Sequence, residues 1–87
     1  MYNLLIKNYI KKLSISDVND FAIKNNIMLN DNELNIIFNY IKSDYNTILY
    51  GDPTNILNNL KENFDDSTYL KIEKLFFEYK DKYKNYL

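Results

Sequence analysis

Apolar residues recur at steps of three and four along most of the chain, the spacing that places side chains on one face of an α-helix. The first stripe is Tyr2, Leu5, Ile6, Tyr9, Ile10 and Leu13, with Asn3, Lys7, Lys11 and Lys12 on the other side. Ser14-Ile15-Ser16 breaks it. Ser16 is the expected N-cap of a short second helix, about Asp17 to Asn25, with Val18, Phe21 and Ala22 facing inward. Asn25-Asn26 is the expected stop, because Asn tolerates the left-handed conformation that ends many helices.

Asn30 followed by Glu33 has the spacing of a capping box, and Leu29 and Leu34 sit where a hydrophobic staple belongs. A third helix is predicted from about Asp31 to Ser43, with a stripe of Leu34, Ile37, Phe38 and Ile41 flanked by Ile36 and Tyr40. Asp44 to Pro53 reads as irregular, with Thr47 to Tyr50 either a helical turn or a short extended segment. Asp52-Pro53 then reads as N-cap and first position of a fourth helix to about Asn63, burying Ile56, Leu57 and Leu60, with Phe64 beyond.

Asp65 to Thr68 forms the next turn and cap. The last helix, about Ser67 to Asn85, is predicted to be the longest. Its stripe is Tyr69, Ile72, Phe76, Tyr79, Tyr83 and Tyr86, widened by Leu70, Leu75 and Phe77. No segment alternates with the period of two that a half-buried strand shows. The expected fold is all-α: a small bundle of about five short helices with a longer C-terminal helix, in one helical domain over residues 1–87.

Composition narrows the chemistry. The 87 residues contain no Cys, His or Trp, and counting adds no Arg and no Gln. Without Cys there is no disulfide, thiolate zinc site or thiol nucleophile, and without His no side chain titrates unperturbed near neutrality. The serines Ser14, Ser16, Ser43 and Ser67 have no His base beside them. Three acidic pairs, Asp17 with Asp20, Asp31 with Glu33, and Asp65 with Asp66, all fall at helix starts, where the helix dipole favours negative charge. A calcium loop counted from Asp44 fails at Ile48 and Leu49, and a single Gly (Gly51) cannot build a phosphate loop. No enzyme activity, metal or cofactor is expected.

The Met1 end lacks the pattern of a signal peptide and no apolar run is long enough to span a membrane, so the expected place is the cytoplasm and no membrane partner is expected. The abundance of Asn (15), Lys (11), Ile (11) and Tyr (9) follows AT-rich codons and points to a low-GC Gram-positive bacterium or its phage. A nucleic-acid partner is a weaker alternative. The second and third helices could mimic a helix-turn-helix, but the third opens with Asp31 and Glu33 and offers no Arg.

The segment 67–87 carries five Lys against three acids. Its Tyr stripe reaches past the length that the shorter helices can cover, and Tyr is common at interfaces. The expected contact residues are Tyr79, Lys80, Tyr83, Lys84 and Tyr86, with another protein or a second copy as partner. A phage-encoded inhibitor of a host protein is a further expectation of the same kind.

The order of these features is similar to one family. Ser14-Ile15-Ser16-Asp17-Val18-Asn19-Asp20-Phe21-Ala22 follows a short helix. Asn26-Ile27 precedes a capped helix, Asn46-Thr47-Ile48-Leu49-Tyr50-Gly51-Asp52 precedes the fourth, and Phe76-Phe77 lies near the close. Over nearly its whole length the chain resembles the YqfT-like proteins of bacilli and clostridia, a small family of unknown function. It departs from them in having no Arg near the start of the fourth helix. The resemblance implies no reaction and brings no functional residues with it.

Overall fold

The structure is a computed structural model that describes residues 2–82, with side chains described for 4–81. Among the described residues it is all-α. Five helices follow one another: α1 (Tyr2–Lys12), α2 (Ile15–Lys24), α3 (Asp31–Tyr50), α4 (Thr54–Asn63) and α5 (Asp66–Lys82). By contacts the chain divides into two compact units, Met1–Tyr45 and Asn46–Leu87.

Local hydrogen bonds account for most helix ends. The N-cap of α2 is Ser14, two residues before the expected Ser16. Its hydroxyl accepts the Asp17 N–H at 3.1 Å, and the Asp17 carboxylate accepts the Ser14 N–H at 3.0 Å. Ser14 wins because Asp17 stands at the third helical position, where it completes a reciprocal box; Ser16 has Asn19 there. The same box forms at α3, where Asn30 Oδ1 accepts the Glu33 N–H at 2.8 Å and Glu33 accepts the Asn30 N–H at 2.9 Å.

The end of α2 is a Schellman motif. Asn26 is left-handed (φ 63°), its N–H donates to Ile23 O, and the Ile27 N–H donates to Ala22 O at 2.8 Å. The motif turns Ile27 back onto the helix end, and both Ile27 and Ala22 are buried.

α3 is two helical stretches joined across a kink: Asp44 is non-helical (φ −122°, ψ 22°), so the first stretch ends at Ser43 as expected and a second carries on to Tyr50. The stretch expected to be irregular is therefore mostly helix, and Thr47 to Tyr50 takes the helical alternative. Counted across that kink α3 has 20 residues, against 17 described for α5, so among the described residues the last helix is the longest after α3 and not the longest of all. Gly51 ends α3: its N–H donates to Asn46 O and Thr47 O, and a Cβ there would stand 3.2 Å from Thr47 Cα.

α4 begins at Thr54, one residue later than expected. The N-cap is Pro53, with no side-chain bond at the cap, so the expectation of Asp52 as N-cap and Pro53 as first helical residue is corrected; Asp52 instead accepts the Thr54 N–H at 3.0 Å and the Thr54 hydroxyl in the turn that leads into the helix. At the start of α5, Asp65 accepts the Thr68 N–H three residues on, at 3.3 Å.

In the first unit Val18, Ala22 and Ile27 are buried, while Ile6, Ile10, Leu13, Leu34, Ile37, Phe38 and Ile41 are half-buried. In the second, α4 packs on α5 and Leu60, Phe64 and Tyr69 are buried. The Tyr69 hydroxyl keeps a partner, donating to Glu73 at 2.8 Å.

Three expected inward positions are corrected. Leu5 is 60% and Tyr9 66% exposed on α1, and Phe21 is 42% exposed on α2. An α1 face wide enough to hold Leu5 and Tyr9 as well as Ile6, Ile10 and Leu13 is broader than its neighbours cover. On α5 the same happens to Leu70 and Phe77, which are exposed instead of widening the buried face.

Candidate functional site

The stripe on α5 passes from buried to exposed along the helix. Tyr69 is 7% exposed, Ile72 and Phe76 are half-buried, and Tyr79 is 39% exposed. The stripe is thus covered at its start and more open further on. Tyr83, Lys84 and Tyr86 lie outside the described residues.

Lys80 is not a simple solvent-facing lysine. Its Nζ lies 5.5 Å from the centroid of the Phe76 ring, within cation–π reach. Its charge also helps to hold the Asp52 carboxyl below the usual range, behind the larger effect of the Thr54 hydrogen bonds. Phe76 in turn meets Phe77 edge-on, with centroids 5.1 Å apart. Lys80 therefore lies beside a pair of aromatic rings, and Phe77, 51% exposed, adds apolar surface that the Tyr stripe alone does not suggest.

The acidic pairs are structural where the hydrogen bonds are visible. Asp17 is held below the usual carboxylate range by the backbone N–H and hydroxyl of Ser14. Asp65 is lowered in the same direction by Thr68. These carboxylates are exposed and stay ionised near neutrality, which suits capping and gives no poised acid. In Tyr69 the shift runs the other way: burial, then the Glu73 hydrogen bond, raises the phenol above 10.0.

Among the described residues no group of three or more Asp or Glu is placed to hold a metal ion. None of the described helices is long and apolar enough to cross a membrane. Six residues separate the end of α2 from the start of α3, more than the three or four of a helix-turn-helix. Glu33 is also committed to its cap at the very end that would face a phosphate backbone.

Sequence reasoning missed Lys42. From the part of α3 before Asp44 its Nζ donates to three carbonyls at the end of α1: Ile10 O at 2.8 Å, Leu13 O at 2.9 Å and Lys11 O at 3.0 Å. It also lies 5.6 Å from the Phe38 ring centroid. The last carbonyls of a helix have no partner within it and lie at the negative end of its dipole, so one ammonium satisfies both needs. No local signal marks this residue, because its partners are 29 to 32 positions away.

No family model matches the chain, and no curated protein or solved structure is similar to it.

Proposed function

We propose that the chain is a non-enzymatic, cytoplasmic helical protein that works through contacts with another protein or with a second copy of itself. The observation that carries this is the amount of large apolar surface left in solvent on two helices: Leu4, Leu5 and Tyr9 on α1, and Leu70, Phe77 and Tyr79 on α5. Leu4 and Leu5 are neighbours on α1, and Leu70 and Phe77 are seven residues apart on α5; large exposed apolar side chains grouped on one helix are what protein interfaces use. Asp17, Glu33 and Asp65 are used in hydrogen bonds at helix starts, which leaves the same surface as the main chemical resource. Inhibition of a host protein is one form that such contact takes.

A photo-crosslinking residue at position 79, expressed in the cell of origin, tests the proposal. A discrete adduct is expected, absent when the same residue is placed at the exposed position 58 of α4. An adduct of twice the chain's mass identifies a second copy, and any other single mass another protein. Labelling no stronger at 79 than at 58 would overturn the reading.

A further inference from the structure

The open side of α1 runs in two rows. Leu4, Lys7 and Lys11 follow at steps of three and four, and Leu5, Tyr9 and Lys12 at steps of four and three. All six are exposed, with Leu4 at 63%, Leu5 at 60% and Tyr9 at 66%. Ile6 and Ile10, on the opposite side of the helix, are half-buried. Lys42 fixes the end of α1 through its bonds to Ile10 O, Lys11 O and Leu13 O. The helix therefore presents its open side without leaving its place in the first unit.

Charge is segregated along the chain in the same way. Residues 1–16 hold three Lys and no acid, and the remaining 71 residues hold eight Lys and twelve acids, so +3 stands against −4 in a chain of net −1. Asp17, the first acid in the chain, is held in the capping box with Ser14. The open side of α1 is thus apolar and purely basic, in a chain that is otherwise acidic.

We propose that α1 lies along the surface of an anionic phospholipid bilayer, with Leu4, Leu5 and Tyr9 entering below the headgroups and Lys7, Lys11 and Lys12 among the phosphates. The expectation of no membrane partner rests on the lack of a spanning run, and a helix that lies in the interface needs none. The lysine stems run along the apolar side chains and carry their ammonium groups to the headgroups, and Tyr9 has a hydroxyl for the polar layer. A lipid surface offers unbroken negative charge above an apolar interior, which suits both rows at once. A protein partner would need acids spaced to both rows, and α1 has no acid with which to orient it. The acidic remainder of the chain is repelled by such a surface, so α1 is the part that approaches it. This goes beyond the protein contact proposed above and leaves α5 to that contact.

Co-sedimentation of the full chain with vesicles tests this. Binding is expected to vesicles of phosphatidylglycerol and phosphatidylcholine in equal parts, to weaken as salt rises, and to be lost on phosphatidylcholine alone. Lys11→Gln with Lys12→Gln is expected to raise the vesicle Kd roughly thirtyfold, since each Lys near an anionic surface contributes about one kcal/mol. Lys61→Gln with Lys74→Gln removes as much charge from exposed positions on α4 and α5 and is expected to change Kd by less than about twofold. Circular dichroism checks helix content in both pairs. The chain has no Trp, so Leu5→Trp supplies a single indole whose emission should shift to the blue on the mixed vesicles. A chain that binds neither vesicle overturns the lipid contact and turns the open side of α1 over to an acidic protein surface, while the crosslinking result at position 79 stands by itself. Equal binding to both vesicles, equal weakening by the two Lys pairs, or binding without a blue shift overturns the assignment to this face.

Discussion

Lys42→Met is the most direct test of how the first unit is held together. It keeps the length and most of the apolar stem of the side chain but removes the charge. Three charge-assisted hydrogen bonds are lost, those to the carbonyls of Ile10, Lys11 and Leu13. The Lys11 contact is exposed and its oxygen rehydrates at little cost. The bonds to Ile10 and Leu13 are part-buried, and each is worth about 1 kcal/mol net. Loss of the favourable end-of-helix charge and of the Phe38 contact adds roughly 0.5 kcal/mol, with some return from the Met thioether. The expected destabilisation is about 2 kcal/mol, which for a domain of this size lowers Tm by roughly 8–16 °C. Urea denaturation gives the energy, and native-state amide exchange gives the place. Protection should fall in α1 and in the part of α3 before Asp44, all within Met1–Tyr45, and stay unchanged in α4 and α5. A loss under about 0.5 kcal/mol would refute the reasoning, as would protection lost chiefly in α4 and α5.

Ser14→Ala and Asn30→Ala each remove one half of a capping box and should cost about 1 kcal/mol in urea denaturation, whereas Ser16→Ala should cost far less because Ser14 holds the cap. Leu60→Ala opens a cavity where α4 meets α5 and should cost roughly 2–4 kcal/mol; a value under 1 would mean that the site collapses or is not a core position. Asp17, Asp52 and Asp65 have folded pKa values below the reference 3.8, so their contribution is complete above that value and is lost as pH falls through the lowered ones. Stability in an acid series should therefore decline below about pH 4, with a shallower slope in Asp17→Asn.

The contact surface was only partly legible. The lengthening Tyr stripe on α5 pointed to Tyr79 and Lys80, and Tyr79 does emerge into solvent. Leu70 and Phe77 widen the apolar face by periodicity yet stay exposed, because helical periodicity reports how apolar a face is and not how wide its cover is. The same reasoning put Leu5 and Tyr9 inward. Each of these residues lies at the flank of a stripe, where a neighbouring helix must be present to cover it, and periodicity holds no information on that neighbour. Lys80 lies within cation–π reach of Phe76, one turn back on the same helix.

By itself the sequence determined the helical elements and most of their ends, since capping boxes, the left-handed Asn26 and the Asp52–Thr54 turn are settled by residues two to five positions apart. Only the tertiary structure decided that a second helical stretch follows the kink at Asp44, that Leu5, Tyr9, Leu70 and Phe77 stay in solvent, and that Lys42 closes the end of α1. Those outcomes depend on groups tens of residues apart in the chain, which meet only when the helices that carry them are already packed.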